Sequence, residues 1–294
     1  PNLEEIDKEN AFAPIDLDGD GKKEMIAFYK DKNTKLMGML VLGNRNEKWE
    51  KIADIELNAF DILQYRVIDL DNNKTKEIIL GTYSDESISY GKKLSVWSFK
   101  DVKTTTVLEM AYAGMALGDL DKDDNYEITV IYQNEELMEN RLRMFNIIKD
   151  KVVRLDEKIF PQGIDPYSIS IGKIYDEQLA IFVDSFAGIY EGRTDIFFNN
   201  EDKLVDIANY QGLVLKNKSF PVQTKDVDAD EIMEIGIPFS PPDDEPLYDP
   251  LKPWVKNYYK INKDSSMNLV KQIYEDYKMS FLFEIPESFG NNYS

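Results

Sequence analysis

One acidic loop pattern recurs along this chain at a period near fifty residues, and that period limits the folds open to it. The segments are APIDLDGDGKKEMIAFY from Ala13, YRVIDLDNNKTKEIILGTY from Tyr65, GMALGDLDKDDNYEITVIY from Gly114 and FPVQTKDVDADEIMEIGIPF from Phe220. A worn member, SISIGKIYDEQLAIFV from Ser168, falls between the last two. The first loop positions are Asp16, Asp69, Asp119, Lys173 and Asp226, which lie 53, 50, 54 and 53 residues apart. Such a period is in the range of propeller blades and not of short solenoid repeats.

Each unit reads alike. An apolar stretch precedes the loop, as at Ala11 to Ile15, and an alternating one follows it, as at Met25 to Tyr29 or Ile78 to Thr82. A third β-type run comes next at Leu36 to Leu42, Leu94 to Phe99, Leu142 to Ile148 and Thr194 to Phe198. A fourth closes the unit at Trp49 to Ile55, Thr105 to Met110, Val152 to Ile159 and Leu204 to Ile207. Val, Ile, Tyr, Phe and Thr dominate, as strands prefer. Four short strands with polar turns make one blade. The expected fold is all-β, a β-propeller of about five four-stranded blades over residues 1–278. The tail, residues 279–294, reads as a closing strand or the start of a further domain. Met279 to Ile285 has the look of the first strand of a next unit.

Calcium takes six to eight oxygen ligands, and alternating carboxylates can wrap it. Counting from the first acid, the first loop offers Asp16, Asp18 and Asp20 at positions 1, 3 and 5, the carbonyl of Lys22 at 7 and Glu24 at 9. The corresponding sets are Asp69, Asp71, Asn73, Thr75 and Glu77; Asp119, Asp121, Asp123, Asn125 and Glu127; and Asp226, Asp228, Asp230, Ile232 and Glu234. The second set has one acid fewer and Lys74 at position 6, so it should bind most weakly. The fourth unit starts with Lys173 and has a shortened loop, so no metal is expected there. Asp, Asn and Gly clusters also make ordinary polar turns. Four of them in phase favour a cation.

The stretch DLDGDGKKE resembles the FG-GAP (or VCBS) repeat, the calcium-loop blade of integrin α-subunit propellers and many bacterial surface proteins. The likeness covers about 230 residues as a repeat and is specific only in the loops. It implies a propeller, structural calcium, and adhesion or ligand binding outside the cytoplasm.

The formal charge is -20, which argues against nucleic acid and anionic membrane surfaces as partners. Four calcium ions would bring it to about -12. The chain has no His and no Cys, which removes Ser-His-Asp chemistry and most zinc sites. No apolar stretch is long enough to span a membrane. The Pro-rich run from Pro238 to Trp254 is either a ligand loop using Asp243, Asp244, Glu245, Tyr248 and Trp254, or a stiff connection with Trp254 packed on a blade; packing is favoured. Trp49 and Trp97 are expected in the core. Tyr258, Tyr259, Tyr274 and Tyr277 suit either a sugar-stacking surface or sheet packing.

Together these features describe a monomeric, non-enzymatic bacterial surface protein that binds a protein or glycan. A lipoprotein anchored upstream of Pro1 fits them. The alternative is an enzyme acting on polysaccharide, for which no carboxylate pair stands out.

Overall fold

The computed structural model describes residues 14–45, 48–84, 91–100, 103–134, 136–189, 191–207, 215, 218–239, 254–276 and 278–286. Among these residues there is no α-helix, and the strands form five antiparallel sheets. The first holds β1 (Glu24–Lys30), β2 (Met37–Arg45) and β3 (Lys48–Glu56). The second holds β4 (Asp61–Ile68), β5 (Glu77–Tyr83), β6 (Lys92–Lys100) and β7 (Lys103–Ala111). The third holds β8 (Gly114–Gly118), β9 (Glu127–Asn134), β10 (Glu139–Ile148) and β11 (Lys151–Ile159). The fourth holds β12 (Ile164–Tyr175), β13 (Gln178–Ala187), β14 (Gly192–Asn200) and β15 (Lys203–Asp206). The fifth holds β16 (Ile235–Phe239), β17 (Trp254–Ile261), β18 (Met267–Asp276) and β19 (Phe281–Glu284). In every sheet, neighbours in sequence are neighbours in space.

The all-β expectation holds, and each acidic loop leads into a strand (β1, β5, β9 or β16). Two of these post-loop strands are deeply buried. Ile78, Ile79 and Leu80 in β5 and Ile128, Val130 and Ile131 in β9 are enclosed on both faces. The strands at the far edge alternate apolar with charged residues and are largely exposed, as in β3 and β11. Burial of continuous apolar runs supplies most of the stabilisation, about 25 cal/mol for each Å² removed from water.

The described chain divides into two compact units. One contains the first and second sheets, the other the fourth and fifth, and segments of the third belong to each. In the first unit Leu17, Ile26, Met39 and Val41 share a core with Ile78, Leu80, Trp97 and Phe99. Phe28 meets Tyr65 edge to face, with centroids 5.1 Å apart. In the second unit Ile174, Phe182 and Ile196 share a core with Ile235 and Ile261.

Several sequence expectations need correction. The leading strand at Ala11 to Ile15 falls mostly outside the described residues, and Ile15 makes a single bridge to Glu24. The tail segment contains β19, paired to β18 at the edge of the fifth sheet, and residues 287–294 lie outside the described residues. The pre-loop segment there is reduced to one bridge between Lys225 and Glu234. Trp97 is in the core as expected, but Trp49 is 45% exposed because it sits on the outer strand β3. Trp254 is buried and stacks on Phe220 at 5.2 Å, so it packs rather than greets a ligand. Asp243, Asp244, Glu245, Tyr248 and Tyr277 lie outside the described residues. Tyr258 is buried and so leaves the suggested sugar-stacking surface.

Candidate metal centres

The four acidic loops share one backbone conformation. Position 4 is left-handed in each: Gly19 (φ 72°), Asn72 (50°), Lys122 (66°) and Ala229 (63°). Position 6 is left-handed too: Gly21 (82°), Lys74 (75°), Asp124 (68°) and Glu231 (70°). Only two of these eight residues are glycines. Non-glycine residues there store strain of about 1 kcal/mol or more each, which the surroundings must over-determine.

The acids supply that determination. At position 1, Asp16 accepts from the Gly19 and Gly21 amides at 2.8 and 3.0 Å. Asp69 accepts from Asn73 and Lys74, and Asp226 from Ala229, Asp230 and Glu231. At position 5, Asp20, Asn73, Asp123 and Asp230 each accept the amide of position 7. Lys22, Thr75, Asn125 and Ile232 therefore enter the loops through their N–H groups. At position 9 one carboxylate oxygen takes the amide of position 2: Leu17 to Glu24 at 2.9 Å, Leu70 to Glu77 at 3.0 Å and Val227 to Glu234 at 2.7 Å.

The position 9 glutamates start the post-loop strands or immediately precede them. Glu77, Glu127 and Glu234 are 0% exposed, and Glu24 is 6% exposed. An ionised carboxylate there loses hydration. Burial accordingly pushes Glu77 up to about 7, with the Asp71, Asp69 and Asp150 charges adding to it. Glu24 is raised by burial against the opposing Leu17 hydrogen bond. Glu234 is also raised by burial, partly offset by Val227 and Lys260.

Carboxylate oxygens converge within 4.8 Å in four groups: Asp16, Asp18 and Glu24; Asp69, Asp71 and Glu77; Asp119, Asp121 and Glu127; and Asp226, Asp228 and Asp230. Each could hold a metal ion. In the first three loops positions 1, 3 and 9 meet, while Asp20 and Asp123 at position 5 of the first and third stay outside the group. In the fifth loop positions 1, 3 and 5 meet and Glu234 stays outside.

The second loop fits a cation best on independent grounds. Oδ1 of Asp71 and Oε1 of Glu77 are buried with no hydrogen-bond partner. So is Oγ of Ser98, whose backbone pairs with Glu77 across β5 and β6. Buried polar oxygens without partners are rare and costly, and a cation held by Asp69, Asp71 and Glu77 would satisfy the two carboxylate oxygens. The sequence ranked this loop last because it counts one acid fewer. Burial was the missing quantity.

The fifth loop contains its own cation, which the sequence reading missed. Lys260 Nζ lies 2.8 Å from Asp228 Oδ2, contacts Asp230 Oδ2 and stands 3.6 Å from Glu234 Oε1. Desolvation alone would lower its amine, but the hydrogen bonds to Asp228 and Asp230 and the Glu234 charge hold it well above the ordinary lysine range. Lys173, the first residue of the worn loop, bridges to Glu231 at 2.8 Å and also reaches Glu177. Lys271 donates to the Val227 carbonyl at 2.7 Å. The only signal for Lys260 in the sequence is a basic residue on the third strand of its unit, facing the loop.

A separate polar cluster is fully enclosed. Lys218 donates to Thr194 Oγ1 and stands 3.8 Å from Asp184, which also takes both Thr224 donors. Burial lowers the Lys218 amine to about 8.

No family model matches the sequence, and no curated protein matches it. Solved structures similar to it include the exotype rhamnogalacturonan lyase YesX, at 15% identity and TM-score 0.41 over 70% of this chain and 47% of that one. A second is rhamnogalacturonan lyase YesW, at 15% identity and TM-score 0.44 over 86% and 60%. A third is the Bacillus licheniformis rhamnogalacturonan lyase PL11, at 13% identity and TM-score 0.43 over 87% and 60%. The chain spans 47 to 60% of the length of these structures. The expectation of a non-enzymatic chain is corrected here, since all three neighbours are named as lyases. No residue role is carried across from them. Among the described residues no helix is long and apolar enough to cross a membrane.

Proposed function

We propose that the acidic loops bind calcium as a structural ion and brace consecutive blades of an FG-GAP-like β-propeller. The observation that carries the calcium reading is the pair of orphaned buried carboxylate oxygens on Asp71 and Glu77, in a group that converges with Asp69. Asp69, Asp71 and Glu77 would hold the ion in the second loop, and Asp16, Asp18 and Glu24 in the first. Calcium there supplies positive charge to carboxylates that otherwise repel one another.

Loop-to-loop hydrogen bonding supports the propeller. The amide at position 8 of one loop donates to the carbonyl at position 2 of the loop before it. Lys76 reaches Leu17 at 2.7 Å and Tyr126 reaches Leu70 at 2.9 Å. In the worn loop the acceptor is one residue earlier: Met233 reaches the position 1 carbonyl of Lys173 at 2.8 Å. The same junction between successive units is what blades set side by side require.

Chelation tests the proposal. At Kd values of roughly 0.1 to 1 mM, as in extracellular modules, millimolar calcium adds about 0.4 to 1.4 kcal/mol per site. With three sites filled, removing calcium should lower the melting temperature by roughly 3 to 15 °C. An unchanged melting curve would refute it.

Action on polysaccharide is the second reading. It was open from the sequence, and no residue is assigned to it. The names of the neighbours choose its test substrate: incubation with rhamnogalacturonan, with and without calcium, read as loss of polymer size.

A further inference from the structure

We infer that the residue facing the buried position 9 glutamate from the third strand of each unit decides whether that loop takes a metal ion, and that Lys260 fills the fifth loop with the protein's own ammonium. The inference rests on the calcium reading of the other loops and deepens it.

The register carries the argument. Glu24 pairs with Gly43 across β1 and β2. A Cβ built on Gly43 would stand 3.9 Å from Glu24 Oε1, so that residue faces the carboxylate. Glu77 pairs with Ser98 across β5 and β6. In the fifth sheet Ile235 pairs with Tyr259, which sets Glu234 opposite Lys260. Two loops thus have a glycine or a serine at this place, leaving space beside the carboxylate. The fifth has the long stem and charged head of lysine.

The carboxylates register that exchange. Among the described residues no lysine or arginine makes an ion pair with Asp69, Asp71 or Glu77. In the fifth loop Asp228, Asp230 and Glu234 all face Lys260 Nζ. An ammonium with three carboxylates around it occupies the place and does the electrostatic duty of a divalent ion, at half its charge. For calcium to enter, the ammonium must leave. Lys173 on Glu231 and Lys271 on the Val227 carbonyl tie down the rest of the same loop. The fifth loop is therefore metal-independent, while its backbone stays the same as that of the others.

Hydrogen exchange of the full chain, resolved by peptide, tests this in 10 mM calcium against chelator. At a Kd of about 1 mM, calcium should slow exchange about tenfold in a loop that binds it. In the wild type that slowing is expected over 16–24 and 69–77 and is absent over 226–234. Lys260→Met keeps the stem and removes the charge, and Lys260→Ser restores the space found elsewhere. In either variant, 226–234 should become calcium-responsive, whereas Lys260→Arg should leave it silent. A calcium-responsive fifth loop in the wild type overturns the inference. So does a fifth loop still silent in folded Lys260→Met or Lys260→Ser while the first two loops respond. Silence of every loop in every variant sinks the calcium reading itself, and the inference with it.

Discussion

The second and fifth loops are left-handed at the same two positions, tie their amides to side-chain oxygens at positions 1, 5 and 9 and bury the glutamate at position 9, yet they settle their charge differently. In both loops one oxygen of the buried glutamate lacks a hydrogen bond, but in the second Asp71 Oδ1 lacks one as well and no ammonium among the described residues stands near. In the fifth, Lys260 answers three acids from across the sheet. Conformation and charge compensation are thus separable. The backbone is fixed by the side-chain oxygens at positions 1, 5 and 9, and the counter-ion is chosen by a residue on another strand. Among the described residues one loop has no cation of its own, and the other has an ammonium facing its buried glutamate.

The largest expected effect of that difference is on pH dependence. Glu77 is raised by burial from 4.5 to about 7. A carboxyl whose folded pKa lies above its unfolded value binds its proton more tightly in the folded state. Its contribution is fully present below about 4.5 and is lost as pH rises through about 7. Metal-free protein should therefore lose up to ~3 kcal/mol of stability between pH 4.5 and 8 from this group alone. Calcium binds the ionised form, so saturating calcium should remove most of that loss. The fifth loop should share the effect only in weaker form, because burial raises Glu234 too but the Val227 hydrogen bond and the Lys260 charge offset part of it. Denaturant melts at several pH values, repeated on Glu77→Gln, measure it. Equal slopes for the wild type and Glu77→Gln in chelator would break the comparison.

A smaller effect concerns position 4. The first loop has Gly19 there and the fifth has Ala229, both left-handed. Gly19 also has the Lys74 carbonyl oxygen 2.7 Å from where a Cβ would be. Gly19→Ala should cost about 2 kcal/mol, from strain plus that clash. Ala229→Gly should stabilise by roughly 0.5 to 1 kcal/mol, since the strain it relieves outweighs the entropy it returns to the unfolded chain. Paired denaturation curves decide it. Destabilisation by Ala229→Gly would mean the loops are not conformational equivalents.

Much of this was legible in the residues. The strands were, because apolar runs such as Ile78 to Thr82 recur in phase with the loops. The carboxylate groups were, because acids at alternate positions of a short loop cannot avoid one another. The counter-ion was not. Gly43 follows Glu24 by 19 residues and Ser98 follows Glu77 by 21, but Lys260 follows Glu234 by 26, past the Pro-rich insertion. Without the register there is no reason to align Lys260 with a glycine and a serine. Ranking the loops by acid count failed for a related reason. Asp71 and Glu77 matter through their burial, and neighbouring strands supply that. Trp49 and β19 were misplaced because a sheet edge looks like any other strand in sequence.

The smallest expected effect isolates what makes Lys260 special. Lys22 also bridges a loop acid, Asp20, at 3.2 Å, and by distance alone the two lysines are alike. The Lys22 and Asp20 side chains are 65% and 42% exposed, whereas Lys260 is 21% exposed and faces the fully buried Glu234. An exposed pair is screened and contributes about 0 to 1 kcal/mol, much of it offset by side-chain entropy. Asp20 moreover stays outside the converging group of the first loop, so its lysine does not compete for the cation's place. Lys22→Ala should therefore shift stability by less than about 0.5 kcal/mol and leave calcium affinity within about twofold at physiological salt. Calorimetric titration and a thermal melt of this one variant measure both. A large change in either would mean that nearness to a loop acid, rather than position opposite the buried glutamate, selects the counter-ion.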